Sequence, residues 1–346
     1  MKASIQDVAK RAGVSVSTVS RSFTRPELVS ERTRQKVMDI AESLDFQISR
    51  SATALKSGQS LRIAMLISGP VTEWFNSHVF MGLNAVLQQQ GYDISIYTIN
   101  TFEARKAFFN DLPVRRNADA VLVCSFNINS AEVSRLRHMN VPVVGVNISD
   151  PDGFDAAVTI DDRDSMKAAV RHLVSIGHRR IAFIRTTHGT PFTYSADERM
   201  EGFIQACREA GPSVISTVLH CPINPNPINS AVSQLLALNP APTALCFQTD
   251  DLAVPVLYRL RRYGRTIPGD FSIIGFDDST YASDIGLTTI HQDPEEMGRV
   301  AASKILELID TEKTAKPFET FPTQLMLRET TAPYAPPVSA DADTAQ

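Results

Sequence analysis

The pattern of apolar positions in the first 46 residues predicts three short amphipathic helices. The first helix has apolar residues at the spacing i, i+3, i+4, i+7, at Ile5, Val8, Ala9 and Ala12. Gly13 permits a sharp reversal, Ser15 can cap a second helix over 16–23, and a third helix follows from Ser30. The second helix buries few residues and has a polar outer side. Together these features are typical of a helix-turn-helix, which places its second helix in a DNA groove.

From residue 61 the pattern changes, and short apolar segments alternate with helical ones. Strands that are apolar throughout and are each followed by a helix indicate parallel sheets covered on both faces. Two such series in tandem predict two doubly wound lobes with a cleft between them. The fold class is therefore predicted as α/β, with an all-α head and two parallel-sheet lobes. The first series has predicted strands at Arg62–Ile67, Ile94–Ile99, Ala120–Cys124 and Val141–Val146; the second has Arg180–Ile184, Val214–Leu219, Thr243–Phe247 and Phe271–Phe276.

These patterns divide the chain into a head, a hinge, a body and a tail. The head covers 1–46, the small and polar hinge 47–60, and the body 61–330. Within the body, lobe 1 is expected at about 61–160 plus 291–320 and lobe 2 at about 161–290 plus 321–330. A predicted strand at 321–327 belongs to the final crossing between the lobes. The Pro- and Ala-rich tail, 331–346, is expected to be disordered.

Charge is distributed unevenly along the 346 residues, whose net charge is −4. Residues 1–60 hold 10 Lys and Arg against 6 Asp and Glu, whereas the remainder holds 24 against 32. A basic head on an acidic body fits a protein in which the head alone meets phosphate. Because the basic excess is small, one head should bind weakly, which favours a dimer.

Several other functional classes are disfavoured by the sequence. The four cysteines form no metal-binding or disulfide pattern, and neither a phosphate-binding glycine loop nor a nucleophile turn occurs. We therefore expect no enzyme activity, no catalytic residues, no cofactor and no metal. The N-terminus lacks an apolar signal region and no segment reaches membrane-spanning length, so a cytoplasmic protein is expected.

Several separated segments resemble the LacI/GalR family of bacterial transcription regulators, over residues 2 to about 330. The resemblance implies a DNA-reading head, a hinge, and a body similar to periplasmic sugar-binding proteins that dimerises and binds an effector between its lobes. The segments that carry it, in the family's order, are 5–21, 177–184, 199–203, 274–278, 287–290 and 296–298.

The resemblance places Val16, Ser17 and Arg21 toward base edges in the major groove. Arg21 can contact guanine in a bidentate manner and Val16 can pack on a thymine methyl; alternatively, Arg21 contacts only phosphate or caps its helix. In this family Leu55 of the hinge enters the minor groove beside its counterpart from the second subunit. The open alternative is that Leu55 packs on its own body. The other expected DNA contacts are Ser4, Thr18, Ser20, Thr33 and Ala52.

For the effector, ligands of parallel sheets bind beyond the carboxyl ends of the strands, where Asp277 falls. The family match makes Asp277 an acceptor for ligand hydroxyls and Arg199 a planar donor suited to a vicinal diol. Asp250 stands where the family usually has Asn, which leaves only acceptors. Asp161 also follows a strand, although it can equally cap the next helix.

In the first lobe, Trp74 and Phe75 offer aromatic faces for a sugar, with Phe75 favoured over Trp74. Weaker candidates are Glu73, Asn147 and Gln292. Since no cluster of Lys or Arg is visible among these residues, a neutral sugar is expected. The sequence thus predicts a homodimeric repressor released from a palindromic operator on double-stranded DNA by a small carbohydrate. The alternative effector is a nucleobase, a nucleoside or a phosphorylated sugar.

Overall fold

The computed structural model separates the chain into two units, Met1–Leu61 and Arg62–Gln346. The described residues are 3–24, 26–46, 59–115, 117–187, 192, 194–223 and 226–335.

The first unit contains three helices, α1 (Ile5–Ala12), α2 (Val16–Thr24) and α3 (Glu31–Ser43). The predicted caps are confirmed: the hydroxyls of Ser15 and Ser30 accept hydrogen bonds from the amides of Thr18 and Thr33. Gly13 ends α1 at φ +66°, a left-handed conformation that favours glycine. The small core is filled by the predicted stripes, with Val8, Ala9, Ala12, Val19, Val37 and Ala41 buried.

The second unit begins with lobe 1, a six-stranded sheet in which every neighbouring pair is parallel. The strand order is β11-β5-β4-β3-β1-β2, and β11 comes from near the end of the chain. The strands are β1 (Arg62–Ile67), β2 (Asp93–Thr98), β3 (Ala120–Cys124), β4 (Val143–Val146), β5 (Ala156–Ile160) and β11 (Phe318–Phe321). The helices between them are α4 (Trp74–Leu87), α5 (Phe102–Arg115) and α6 (Ser130–Arg137).

Lobe 2 has the sheet order β12-β10-β9-β8-β6-β7, in which only the edge strand β12 is antiparallel to its neighbour. Its strands are β6 (Arg180–Thr187), β7 (Ile215–Pro222), β8 (Ala244–Phe247), β9 (Ser272–Asp277), β10 (Thr288–His291) and β12 (Gln324–Met326). Its helices are α7 (Asp162–Ser175), α8 (Ser195–Glu209), α9 (Pro227–Ala237) and α10 (Asp250–Arg262).

The chain passes between the lobes three times. It crosses after β5 into α7, after β10 into α11 (Pro294–Thr311), and between β11 and β12. Helix α11 packs on α4 and on strands β4 and β5, which returns it to lobe 1. The expected fold class, a helical head followed by two parallel-sheet α/β lobes, is confirmed.

Three details differ from the sequence predictions. Strand β5 was absent from the predicted strands, although it is one residue longer than β4. The predicted strand at 321–327 divides into the end of β11 and the whole of β12, which lie in different sheets. Residues 331–335 are not disordered: the Ala332 amide donates to the Ser272 hydroxyl at 3.1 Å, and the Tyr334 amide donates to the Ile176 carbonyl at 2.8 Å. The remaining expected tail, 336–346, lies outside the described residues.

Candidate functional site

On the head, the outer side of α2 exposes the residues predicted to reach bases. Val16 is 42% exposed, and Ser17 and Arg21 are also exposed. The Ser15 hydroxyl lies 2.7 Å from that of Ser17 and 2.8 Å from that of Thr18, which holds the first turn of α2 in place. One side of this helix is therefore free for a ligand while Val19 anchors the other in the core.

The other predicted DNA contacts on the head occupy helix ends or half-buried positions. Ser4 and Asp7 form a reciprocal capping box at α1, and the Thr33 hydroxyl lies 2.8 Å from that of Ser30 at the start of α3. Thr18 and Ser20 are half-buried. Helix N-termini suit phosphate contacts because their first amides have no partner within the helix. The predicted hinge contacts Ala52 and Leu55 lie outside the described residues.

In the body, a cavity of about 320 Å³ lies between the two lobes. Lobe 1 contributes the ends of β1 and β3 and the start of α4, and lobe 2 contributes β6, β9 and the first turns of three helices. The predicted residues Phe75, Arg199 and Asp277 all line it. The remaining lining includes Ser68, Glu73, Asn76, Ser125, Arg185, Thr186, Tyr194, Ser195, Gln248 and Asp251.

Arg199 is the centre of a buried polar network. Its Nε donates to Oδ1 of Asp162 at 2.7 Å, and its Nη1 donates to the Gln248 carbonyl at 2.7 Å. The guanidinium also lies over the Phe276 ring, 3.6 Å from the centroid. Among the described residues Nη2 has no hydrogen-bond partner, and Arg199 borders the cavity although only 4% of it is exposed. A fixed donor is therefore available to a ligand.

Asp277 supplies a matching acceptor at the carboxyl end of β9. Its Oδ1 accepts from Gln292 Nε2 at 2.7 Å and lies 3.5 Å from Nη1 of Arg199. Oδ2 has no partner within the described part of the chain, and Asp277 is 4% exposed. Burial raises the pKa of this carboxyl well above its ordinary range, and the nearby Arg199 opposes that rise. The backbone at Asp277 has φ +122°, a conformation uncommon for a residue with a side chain.

Asn147 and Gln292 flank this network without lining the cavity. Asn147 follows β4 in lobe 1 and donates to the Ser195 hydroxyl of lobe 2 at 3.3 Å. Asn147 Oδ1 and Gln292 Oε1 are buried and have no partner among the described residues. Both side chains therefore orient groups that do line the cavity rather than facing it directly.

Three predicted effector contacts are placed elsewhere. Asp161 is exposed and caps α7 through the Asp164 amide at 2.7 Å, and the buried partner of Arg199 is instead Asp162. Asp250 is fully buried, and its two oxygens already accept from the Ser279 amide and the Thr289 hydroxyl, each at 2.8 Å.

Trp74, the third of these residues, packs on His78 with ring centroids 4.6 Å apart and does not line the cavity. Of the two neighbouring aromatic residues Trp74 and Phe75, it is Phe75 that lines it.

The residues that sequence reasoning missed are Asp162 and Asp251, and Glu73 was ranked too low. Each aspartate is the second member of an Asp-Asp pair at the start of a helix, and only the first member was chosen. Helix geometry offered a signal for the second aspartate. Consecutive side chains point about 100° apart around a helix axis, so the two members of each pair face different surroundings. Glu73 lies at the rim of the cleft. Its pKa is raised to about 7 because the surrounding protein reduces its hydration and the Asp251 carboxylate repels its charge.

The lobes also meet beside the cavity. The Ser195 amide donates to the Ser125 carbonyl at 3.1 Å, and Phe126 and Tyr194 form an isolated antiparallel bridge. Tyr194 belongs to lobe 2 in sequence yet packs with the core of lobe 1. The side chain of Phe192 lies against Arg105, 4.7 Å from its guanidinium carbon to the ring centroid. The described residues Phe192, Tyr194 and Ser195 thus join lobe 2 to lobe 1.

Neither membrane segments nor metal clusters are found among the described residues. No described helix is long and apolar enough to cross a membrane. No group of three or more His, Cys, Asp or Glu side chains in the described ranges is arranged to hold a metal ion.

Two family descriptions match the chain. Residues 4–49 match bacterial regulatory proteins of the lacI family, and residues 170–331 match the periplasmic binding protein-like domain. The HTH-type transcriptional repressor PurR of Vibrio campbellii is 30% identical over 334 residues, covering 95% of this chain and 98% of that protein. PurR of Actinobacillus pleuropneumoniae serotype 3 is 29% identical over 333 residues, covering 94% and 97%.

Solved structures give the same result for the fold. The Lac repressor dimer bound to operator and the anti-inducer ONPF superposes with a TM-score of 0.81 at 24% identity, covering 96% of this chain and all of that one. The complex of the transcriptional regulator CelR with cellobiose has a TM-score of 0.67 at 24% identity, covering 95% and 100%. The chain therefore belongs to the lacI family of bacterial regulatory proteins and is a DNA-binding transcriptional repressor.

Proposed function

We propose that this repressor acts as a homodimer and that a carbohydrate bound in the cleft between the lobes controls its affinity for a near-palindromic operator. The observation that carries the proposal is that Arg199 and Asp277 both line the cavity and that each has a polar atom without a partner among the described residues. Nη2 of Arg199 and Oδ2 of Asp277 are both without partners among the described residues. A vicinal diol both donates and accepts, so it satisfies the two together.

The charges around the cavity support a polyol over a phosphorylated sugar. The carboxylates of Glu73, Asp251 and Asp277 line it, against the guanidinium groups of Arg185 and Arg199. Each arginine is already paired with a further carboxylate, Asp197 at 2.5 Å and Asp162 at 2.7 Å respectively. Each guanidinium is thus already paired with a carboxylate of the protein, which leaves little positive charge to attract a phosphate.

A nucleobase or nucleoside is the second candidate. The specific observation that favours it is the presence of two aromatic rings, Phe75 from lobe 1 and Tyr194 from lobe 2, in the same cavity wall. Planar bases stack on such rings. The carbohydrate ranks first because the polar groups without partners are arranged for hydroxyls, and sugars also pack an apolar face on a ring.

Control of DNA binding follows from the position of the cavity. Both lobes contribute to its wall, so a ligand that contacts both favours one lobe arrangement over others. For the ligand to release DNA, the lobe arrangement that it favours must be the one with the lower affinity for the operator. On the head, Val16, Ser17 and Arg21 are proposed to read bases, and Ser4, Thr18, Ser20 and Thr33 to contact the DNA backbone.

The test combines ligand screening with DNA binding. An operator is first selected in vitro from random DNA, and the purified protein is then screened by thermal shift against mono- and oligosaccharides, nucleobases, nucleosides and sugar phosphates. Each stabilising compound is retested for operator release by fluorescence anisotropy. We expect a carbohydrate to stabilise the protein against thermal unfolding and to release it from the operator. Both effects should be lost in Asp277→Asn and kept in the surface variant Glu201→Gln. Release by bases alone, or operator affinity indifferent to every compound, contradicts the proposal.

A further inference from the structure

Asn76 is a buried asparagine of lobe 1 that was not among the contacts predicted from the sequence. It lies in the first turn of α4, is only 4% exposed and lines the cavity between the lobes. A buried amide needs acceptors for its two N–H groups and a donor for its carbonyl oxygen. The partners of Asn76 therefore show which end of the side chain is left for a ligand.

The amide nitrogen of Asn76 is held by acceptors of its own lobe. Its Nδ2 donates to the Pro70 carbonyl at 3.1 Å and lies 3.4 Å from the Ser68 carbonyl and 3.3 Å from Oε2 of Glu73. Carbonyl oxygens can only accept a hydrogen bond, so the nitrogen of the amide, and not its oxygen, must face them. The loop before α4 thus fixes the orientation of this side chain.

The amide oxygen of Asn76 is the part that remains available. Oδ1 has no hydrogen-bond partner among the described residues, although the residue is buried and lines the cavity. The amide cannot turn over to find one, because its oxygen would then face the carbonyl oxygens of Ser68 and Pro70. A buried acceptor without a donor is unfavourable, so a ligand group that donates to it is bound more tightly.

The loop that orients Asn76 is held from other sides as well. The Gly69 amide donates to Oδ1 of Asn100 at 2.9 Å, and the Ser68 hydroxyl donates to the hydroxyl of Tyr194 at 3.4 Å. Gly69 has φ +87°, a left-handed conformation that favours glycine. The acceptor on Asn76 is therefore preorganised, and a preorganised group loses little freedom when a ligand binds.

We propose that Oδ1 of Asn76 accepts a hydrogen bond from one hydroxyl of the carbohydrate, so that Asn76 is a specificity-determining residue of the cleft. This inference rests on the proposed carbohydrate function and adds to it the polar contact from lobe 1. The free groups of Arg199 and Asp277 belong to lobe 2, so the three side chains hold one ligand from both lobes. A hydrogen or a fluorine in place of that hydroxyl cannot donate, and a sugar that carries either there is rejected.

The experiment uses the full-length protein and isothermal titration with glucose, galactose, mannose, xylose, arabinose, maltose and sucrose. The sugar that binds most tightly is then compared with its monodeoxy and monodeoxyfluoro analogues, one hydroxyl at a time. Each compound is titrated into the wild type, Asn76→Ala and Asn76→Leu, of which the leucine variant keeps the volume of the side chain. The matched control is Asn84→Ala, which removes the same side chain from the same helix. Asn84 donates to Gln88 at 3.5 Å and does not line the cavity.

The affinities of two proteins for two ligands form a cycle that isolates the contact between one side chain and one hydroxyl. A purely structural role for Asn76 lowers the affinity for parent sugar and analogues alike and leaves this coupling at zero. Thermal unfolding of each variant shows how far the loss of the bonds to the loop affects stability. The comparison of parent sugar and analogues on the wild type needs no variant at all.

We expect the wild type to bind the deoxy and fluoro analogues at one position about tenfold more weakly than the parent sugar. Asn76→Ala and Asn76→Leu should bind the parent sugar and these analogues with equal, reduced affinity, and Asn84→Ala should behave as the wild type. Equal affinity of the wild type for the parent sugar and every analogue overturns the inference, as does discrimination at every position that both Asn76 variants retain; the carbohydrate function then stands. If none of these sugars binds, both proposals are overturned.

Discussion

Nε of Arg199 donates to Oδ1 of Asp162 at 2.7 Å, and the side chains of both residues are only 5% exposed. The pair joins the second turn of α8 to the first residue of α7, so it fixes the guanidinium that borders the cavity between the lobes. Next to it, Arg163 and Glu198 form an exposed pair between the same two helices, also at 2.7 Å. The molecule thus contains a buried and an exposed version of one interaction at adjacent positions.

Asp162→Ala should destabilise the body strongly, because it leaves the Arg199 guanidinium buried without its partner. The expected loss is about 3–5 kcal/mol in the free energy of unfolding, measured by urea denaturation. Glu198→Ala, the exposed control, should cost no more than about 1 kcal/mol. The double variant Asp162→Ala/Arg199→Met should recover part of the loss, since neither charge remains. Equal losses for the buried and exposed variants would refute this account of the network.

Asp250→Asn should stabilise the protein at neutral and alkaline pH. Burial raises the pKa of Asp250 from 3.8 to about 6, so the folded protein holds this proton more tightly than the unfolded chain does. Consequently the free energy of unfolding falls as pH rises from about 4 to about 6, and the deficit persists above that. Asparagine can accept from the Ser279 amide and donate to the Thr289 hydroxyl without a charge.

Thermal denaturation from pH 4 to 8 measures this difference. The variant should gain about 1–3 kcal/mol over the wild type between the ends of that range. Asp270→Asn provides a control of opposite sign, because hydrogen bonds from Thr266 lower the pKa of Asp270. A pH-independent difference between Asp250→Asn and the wild type would show that Asp250 is charged equally easily in both states.

Gly82→Ala and Gly298→Ala should each destabilise lobe 1 by forcing helices α4 and α11 apart. A methyl group on Gly82 would stand 1.9 Å from the Glu295 carbonyl oxygen, and one on Gly298 would stand 2.4 Å from that of Val79. Both neighbours are backbone atoms and cannot move aside alone. We expect about 1–3 kcal/mol or more for each variant, measured by thermal unfolding. Ser303→Ala on the exposed side of α11 should change stability by less than about 0.5 kcal/mol.

Arg21→Ala should reduce the discrimination between operators rather than lower all affinities alike. The expected cost on the selected operator is about 1–3 kcal/mol, with guanine preference relaxed at one position of each half-site. Fluorescence anisotropy on a panel of single-base operator variants measures this pattern. Arg11→Ala, at the exposed end of α1, is the control. Uniform weakening on every sequence would make Arg21 a phosphate contact instead.

Much of the architecture was predictable, because its signals are local. Apolar stripes and capping residues defined the three head helices, and alternating apolar strands and helices defined the lobes. The position of Asp277 followed from a general property of parallel sheets. In contrast, the pairing of Asp162 with Arg199 joins two helices that are distant along the chain, and no periodicity specifies it.

The two Asp-Asp pairs show where sequence reasoning loses resolution. At the start of α7 the first aspartate caps the helix and the second is buried; at the start of α10 the first is buried and the second lines the cleft. Composition and order are identical in the two cases. The position of the pair relative to the helix start differs: Asp161 is the N-cap of α7, whereas the N-cap of α10 is Thr249 and both of its aspartates lie in the first turn. Gly202 and Gly298 lie within segments that resemble the family, and at each of them a side chain would meet the backbone of a neighbouring helix.

The last strands of both sheets lie within nine residues of one another, at Phe318–Phe321 in lobe 1 and Gln324–Met326 in lobe 2. During synthesis, therefore, neither lobe can complete its sheet until the strands at Phe318–Phe321 and Gln324–Met326 have left the ribosome. A nonsense mutation shortly before residue 318 would remove an edge strand from each of the two sheets, β11 from lobe 1 and β12 from lobe 2. The two sheets are therefore completed at almost the same point of synthesis, although the first strand of lobe 1 lies some hundred residues before the first strand of lobe 2.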